Sequence, residues 1–170
     1  MADHSSNPFR EILQQHRDAG EDRRAEQITR AVGSTIPFMS TAGVNIDVYT
    51  PQRVVVTLPD RPPVHNHVGT PHAAALALLA EAATGLVVAL NLSDGSVPLL
   101  RSMNVDFRRM ARGTVHAEAA LGEETQQRIT RRPIGKVMVD VELLADGETA
   151  VTGALQWAWI PASRLPSSEG

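Results

Sequence analysis

No cysteine occurs in the 170 residues. This excludes disulfides, thiolate metal sites, iron–sulfur clusters and a cysteine nucleophile together, and it fits a cytoplasmic setting. Aromatic residues make up only 4% of the chain, and Lys136 is the single lysine beside fifteen arginines. The net charge is −3 and the pI is near 6.0, so the chain as a whole lacks the basic excess of a nucleic-acid-coating protein. The polar stretch Met1 to Asn7 does not read as a secretory signal. No Gly-x-Ser-x-Gly elbow is present, which disfavours a serine hydrolase, and dinucleotide and P-loop fingerprints are missing as well.

At 170 residues the chain has room for one domain with a sizeable core. Residues 1–34 read as a helical extension. Asn7 is a good N-cap and Pro8 suits a first turn, and Gly20 divides the segment into two pieces. The second piece, Glu21 to Val32, has a narrow apolar stripe and reads as a surface lid or strut. From 35 to 161 the pattern is that of a domain, and the Ser- and Pro-containing stretch 162–170 reads as a flexible tail.

Within the domain, Val44, Ile46 and Val48, then Val54, Val56 and Leu58, recur with period two, which predicts a strand interrupted near Pro51. A loop follows to Thr70, the expected N-cap, with Pro71 as the first helical residue. The helix expected over about 72–91 is apolar almost all round, with Glu81 its only charge, so it should be buried on nearly every face. A central carboxylate and the lack of basic flanks argue against membrane insertion. Strands are expected at about 98–109, 114–122, 135–145 and 148–160, and Asp146-Gly147 marks a hairpin turn. The economical architecture is α+β: a curved antiparallel sheet wrapped around a long central helix.

The chemistry gathers in His65-Asn66-His67-Val68-Gly69-Thr70-Pro71-His72, which runs into the helix carrying Glu81. Unpaired N–H groups at a helix start can hold a polarised carbonyl oxygen. A carboxylate in apolar surroundings has its pKa raised and suits a general base. His72 and Glu81, nine residues apart, project from opposite sides of one helix at a separation of about 13 Å. They can serve one site only if it draws on two copies of the chain. Otherwise Glu81 is a structural carboxylate bonded to a neighbouring element.

The pattern Asn66-x-x-Gly69-Thr70-x-His72, followed by Glu81-Ala82-Ala83-x-Gly85, resembles the signature of hotdog-fold thioesterases of the phenylacetate-degradation type. The resemblance spans about residues 36–160 and includes the strand Arg101 to Phe107. It implies hydrolysis of acyl-CoA at sites shared across a homodimer, itself able to pair into a dimer of dimers, with no cofactor beyond the coenzyme A of the substrate. Position by position, Asn66 would orient the thioester or the attacking water. His72 would support the loop, Gly69 and the Ala73 N–H would serve the carbonyl oxygen, and Glu81 would act as general base or nucleophile. Two departures stand out. Ala73-Ala74 replaces the paired glycines of many members, and Leu100 stands where some members carry a hydroxyl. Ser102, two positions on, is the nearest substitute and is expected to face the same side as Leu100. These departures motivate a second reading, a hotdog protein that binds an acyl thioester or lipid-like ligand without cleaving it. A hydratase ranks below both, because its Asp-His pairing is missing.

A phosphate-bearing carrier calls for a basic rim. The segment 101–136 carries a charge of +4 against −7 elsewhere, and Arg108, Arg109, Arg131 and Arg132 are the candidates for coenzyme A, the last two in an expected loop. The spacing of His65, His67 and His72 matches no standard zinc pattern, so no metal site is expected. His116 reads as structural, His4 and His16 as surface residues, and Trp157 and Trp159 as core or interface packing. The expected partners are acyl-CoA and a second copy of the chain, with no nucleic acid and no membrane insertion.

Overall fold

The computed structural model describes residues 6–165; His4 and residues 166–170 of the expected tail lie outside them. The N-terminal helices are α1 (Pro8–Gln15), α2 (Glu21–Thr35) and α3 (Pro37–Ala42). Asn7 caps α1 as expected, its side-chain oxygen accepting from the amides of Phe9 and Arg10 at 3.1 and 3.2 Å. The break at Gly20 also follows the sequence reading. α3 does not: it is six residues long, too short for periodicity to reveal, and only Pro37 at its start and Gly43 at its left-handed C-cap (φ 71°) mark it. The extension is no detached strut, because Ile12, Ile28 and Val32 are buried in the common core. The Thr29 hydroxyl also accepts from the Ile46 amide at 2.8 Å.

The strand expected before the central helix is two strands, β1 (Asn45–Tyr49) and β2 (Arg53–Leu58), paired antiparallel. Pro51 and Gln52 form the tip of the turn, closed by a 3.0 Å bond from the Thr50 amide to the Arg53 carbonyl. Alternation runs through both arms, which hides the reversal in a one-dimensional pattern. The central helix is α4 (Ala73–Asn91). It starts later than Thr70 because Pro71 pairs with His65 in an isolated bridge, and His72 takes the cap, its Nδ1 accepting from the Ala74 amide at 3.0 Å. Ala82 to Asn91 are buried throughout, whereas Ala73 and Ala74 are exposed and Ala75, Ala77 and Leu78 only half-buried. Burial on every face therefore holds for the C-terminal half of α4 alone.

After α4 come β3 (Ser96–Phe107), β4 (Val115–Ala120), α5 (Glu123–Arg131), β5 (Gly135–Ala145) and β6 (Glu148–Pro161). α5 replaces a stretch expected to be loop. Its single buried residue is Ile129, and its acidic first turn and basic last turn complement the helix dipole. The Asp146-Gly147 hairpin is as expected, both residues having positive φ (53° and 75°). Ala162–Arg164 form a 3₁₀ turn whose first amide bonds the Gly95 carbonyl at 2.7 Å, so the start of the expected tail is anchored.

The six strands form one antiparallel sheet in the order β1-β2-β4-β5-β6-β3. β2, β4, β5, β6 and β3 all contact α4, so the sheet curls around the helix. This is the hotdog fold. α4 is long and apolar enough to cross a bilayer, but it is the core helix of this domain and mostly buried within it. The sheet ends at β3, whose outer edge is unpaired among the described residues and carries the half-exposed Leu99 and Leu100.

Candidate active site

The loop before α4 is built on Asn66. Its Oδ1 accepts from the amides of Val68 (3.0 Å) and Thr70 (3.2 Å), and its Nδ2 donates to the Thr70 hydroxyl at 3.0 Å. Its backbone amide also bonds the Thr70 carbonyl at 2.8 Å. Asn66 thus spends most of its hydrogen-bonding capacity on holding the turn, in which Gly69 takes a left-handed φ of 76°. One Nδ2 hydrogen is left for a ligand. The amide of Ala73, the first in α4, has no acceptor within the helix. Ala73 and Ala74 carry exposed methyl groups and do not crowd this opening. The histidines of the loop have separate tasks: His65 Nε2 lies 2.5 Å from the Asp60 carboxylate, His72 caps α4, and His67 is exposed.

Asn66, Ala73 and Leu76 border an open groove of about 390 Å³ whose other wall is Phe107, the last residue of β3, with Arg109 and Met110 just beyond it. Three exposed apolar side chains line it, Val68 at 58%, Phe107 at 50% and Met110 at 56% exposure.

Glu81 lies elsewhere, at a separate cavity of about 320 Å³ against the N-terminal end of β3, with Val97, Pro98, Leu86, Gly85 and Trp157 among its walls. Among the described residues no side chain is hydrogen-bonded to the Glu81 carboxylate, so burial acts unopposed and pushes its pKa above the ordinary value. The cavity wall is tightly built. Trp157 donates its indole N–H to Thr84 at 3.0 Å. A Cβ on Gly85 would sit 2.7 Å from the Trp157 ring, so only glycine lets α4 approach β6 this closely. Trp159 is likewise core, its Nε1 donating to the Arg132 carbonyl at 2.7 Å.

Within one chain, then, Asn66, Gly69, His72 and Ala73 come together and Glu81 does not join them. Ser102 is not a substitute for a hydroxyl at Leu100. A bulge at Arg101 pairs Leu100 with Trp157 but Ser102 with Gln156, which turns Ser102 to the face of the sheet away from α4. The candidate arginines separate too. Arg108 and Arg109 follow β3 beside the loop, and Arg109 is tied to the Ala145 carbonyl (2.6 Å) and Glu148 (2.8 Å). Arg131 ends α5 and Arg132 is its C-cap rather than loop, and Arg131 borders a polar cleft with Asn91. The two pairs therefore sit at opposite ends of α4, roughly 27 Å apart along its axis. His116 is structural, its Nδ1 lying 2.7 Å from the Thr57 hydroxyl, which in turn donates to Asp47.

Sequence reasoning missed most of the Glu81 cavity. Phe9 and Ile36 from the N-terminal helices and Val97 and Pro98 of β3 line it. In sequence these are ordinary apolar positions, and no local signal marks them as walls.

Comparison with known proteins follows the same lines. A solved structure described only by a genomics designation is 25% identical, with a TM-score of 0.72 over 91% of this chain and 99% of its own. A Pseudomonas aeruginosa protein of unknown function, described as a probable thioesterase, is 24% identical (TM-score 0.70; 78% of this chain, 93% of its own). A Haemophilus influenzae thioesterase is 17% identical (TM-score 0.66; 83% and 94%). At these identities the last two likenesses speak to the fold. No curated protein matches the chain. One family model matches, over residues 24–160, described as "Domain of unknown function (DUF4442)".

Proposed function

The chain belongs to the DUF4442 family, and from that premise we propose that it hydrolyses acyl thioesters, acyl-CoA above all, at two sites that each combine residues of both copies in a homodimer. The observation that carries this reading is the position of the two half-sites at opposite ends of the sheet-edge strand β3. The Glu81 cavity borders Val97 and Pro98, and the Asn66 groove borders Phe107. Antiparallel pairing of β3 with its two-fold mate sets the start of one strand beside the end of the other. Each Glu81 then meets the partner's loop, and the exposed Val68, Phe107 and Met110 find cover.

In such a site the thioester carbonyl oxygen is held by the Ala73 amide and the free Nδ2 hydrogen of Asn66, with His72 keeping the helix start in place. Glu81 takes a proton from water, and the water oxygen adds to the carbonyl carbon. Collapse of the tetrahedral intermediate breaks the C–S bond, and the departing thiolate recovers the proton from Glu81. Direct attack by the carboxylate is the alternative. It differs in passing through an anhydride, and single-turnover hydrolysis in ¹⁸O water leaves label in Glu81 when water opens that anhydride at the glutamyl carbon. Arg108 is the stronger candidate for the carrier's phosphates: it is held only by exposed contacts to Asp106 (3.6 Å) and Thr152 (3.1 Å), whereas Arg109 is tied to two backbone carbonyls and the Glu148 carboxylate.

Leu100, which faces the helix side without a hydroxyl, favours the second reading, ligand binding without turnover. Thiol release over a panel of acyl-CoA chain lengths separates the two. Hydrolysis by the wild type that is lost in Glu81→Gln supports the enzyme. Hydrolysis untouched by the substitution rejects this mechanism, and ligand binding with no hydrolysis favours the binding protein.

A further inference from the structure

A second apolar cavity, of about 180 Å³, lies beyond the first along α4, toward Leu92 and Asn7. Four residues border both cavities: Phe9, Ala89, Val97 and Pro98. Ala89 belongs to α4, and Val97 and Pro98 to β3. Phe9 alone comes from the N-terminal extension, and it is the largest side chain in the partition. Its helix is held firmly in place. Asn7, almost fully buried, donates its Nδ2 hydrogens to the carbonyls of Ala89 (2.8 Å) and Leu92 (3.0 Å). The Tyr49 hydroxyl donates to the Phe9 carbonyl at 3.1 Å, and the Arg10 guanidinium donates to the Leu92 carbonyl. These bonds tie α1 to the end of α4 and to β1, so the Phe9 ring is a fixed wall rather than a loose flap.

The first cavity has the chemistry of an acyl site: a carboxylate at one end and apolar walls elsewhere. Resting on the thioesterase reading above, we propose that Phe9 sets the acyl length this protein accepts, a linear chain lying along α4 with its thioester at Glu81 and its terminal methyl against the Phe9 ring. Helical rise places Ala89 about 12 Å and Leu92 about 16 Å beyond Glu81 along the axis. An extended chain advances about 1.2 Å per bond, so about ten bonds fit before the partition and three or four more if it were opened. The substrate class is therefore a medium-length, unbranched acyl group, and the extension that precedes the hotdog sheet is a specificity element.

The test is a profile of kcat/KM from butyryl- through octanoyl- and dodecanoyl- to palmitoyl-CoA. The wild type should peak near octanoyl to decanoyl, rising by about fourfold per added methylene up to that point. Phe9→Ala joins the two cavities and should move the peak to dodecanoyl or longer. Ala89→Leu narrows the cavity from the α4 side and should move the peak to shorter chains, which keeps the proposal testable if Phe9→Ala does not fold. A Phe9→Ala protein with native circular dichroism and an unshifted peak overturns the proposal while leaving the thioesterase reading in place. If the wild type releases no thiol from any substrate, that reading falls. Tryptophan-fluorescence titration with saturated fatty acids then decides the matter: a longer preferred chain in Phe9→Ala sustains the role of Phe9, and identical preferences overturn it.

Discussion

The indole N–H of Trp157 donates to the Thr84 hydroxyl at 3.0 Å, joining the inner face of β6 to α4 less than one turn past Glu81. The same hydroxyl donates to the Ala80 carbonyl at 2.9 Å. Gly85, next along the helix, lies under the Trp157 ring. This contact sets how close α4 lies to the sheet and fixes one wall of the cavity.

Two substitutions probe that contact. Gly85→Ala forces a methyl to within 2.7 Å of the ring and should cost about 1–3 kcal/mol through overpacking. Thr84→Val leaves a buried indole N–H without an acceptor, at a similar cost of about 1–3 kcal/mol. Urea unfolding followed by tryptophan fluorescence measures both, and a Gly85→Ala protein as stable as wild type would contradict the packing described.

Glu81 should link activity, stability and pH with opposite signs. Burial raises its folded pKa above the usual 4.5, so its contribution to stability is full below that value and is lost as pH rises through the raised folded pKa. Glu81→Gln removes this titration. The variant should melt at a higher Tm than wild type near pH 8, with the gap closing toward about pH 4. Hydrolysis should fall by about 10²- to 10⁴-fold, and in the wild type it should rise with pH through the same raised pKa. Equal Tm values at the two pH extremes would show that the carboxylate is not destabilised by burial.

Asn7→Ala removes the cap of α1 together with both bonds to the end of α4. A loss of about 1–2 kcal/mol is expected from the cap alone, with more from the carbonyls of Ala89 and Leu92. Hydrogen exchange should accelerate over α1 and the last turn of α4 and leave β4 and β5 protected. Exchange unchanged over α1 would mean that the helix is held by packing and not by Asn7.

The open edge of β3 predicts the assembly. Leu99→Lys, on the face of β3 turned away from α4, should weaken pairing between copies and shift the protein toward monomer in analytical ultracentrifugation. Hydrolysis should fall in proportion to the monomer formed. Mixing inactive Asn66→Ala and Glu81→Gln chains, followed by subunit exchange, should restore partial hydrolysis from the one site with both residues intact. Fully exchanged heterodimers without activity would mean that the two residues do not share a site.

Where chemistry depends on neighbours in sequence, it could be read directly. The loop from His65 to His72, the apolar α4 with its single carboxylate, the cap at Asn7 and the turn at Asp146-Gly147 are local patterns, and a helix's pitch alone keeps His72 and Glu81 apart. Other features are made by contacts between distant segments and leave no local trace. The bulge at Arg101 turns Ser102 away from α4 through its register with β6, and α3 and α5 are too short to show a period. The four arginines form one cluster in sequence and two in space, because α5 and β5 carry half of them to the far end of α4. Phe9 lies 72 residues before Glu81 and borders the same cavity because Asn7 and Arg10 bond the end of α4 and Tyr49 bonds the Phe9 carbonyl. The sequence alone therefore marked the candidate loop and the apolar helix with its single carboxylate. The tertiary structure decided which groups face one another and how large a cavity they enclose, because register, bulges and buried side-chain bonds act across the fold.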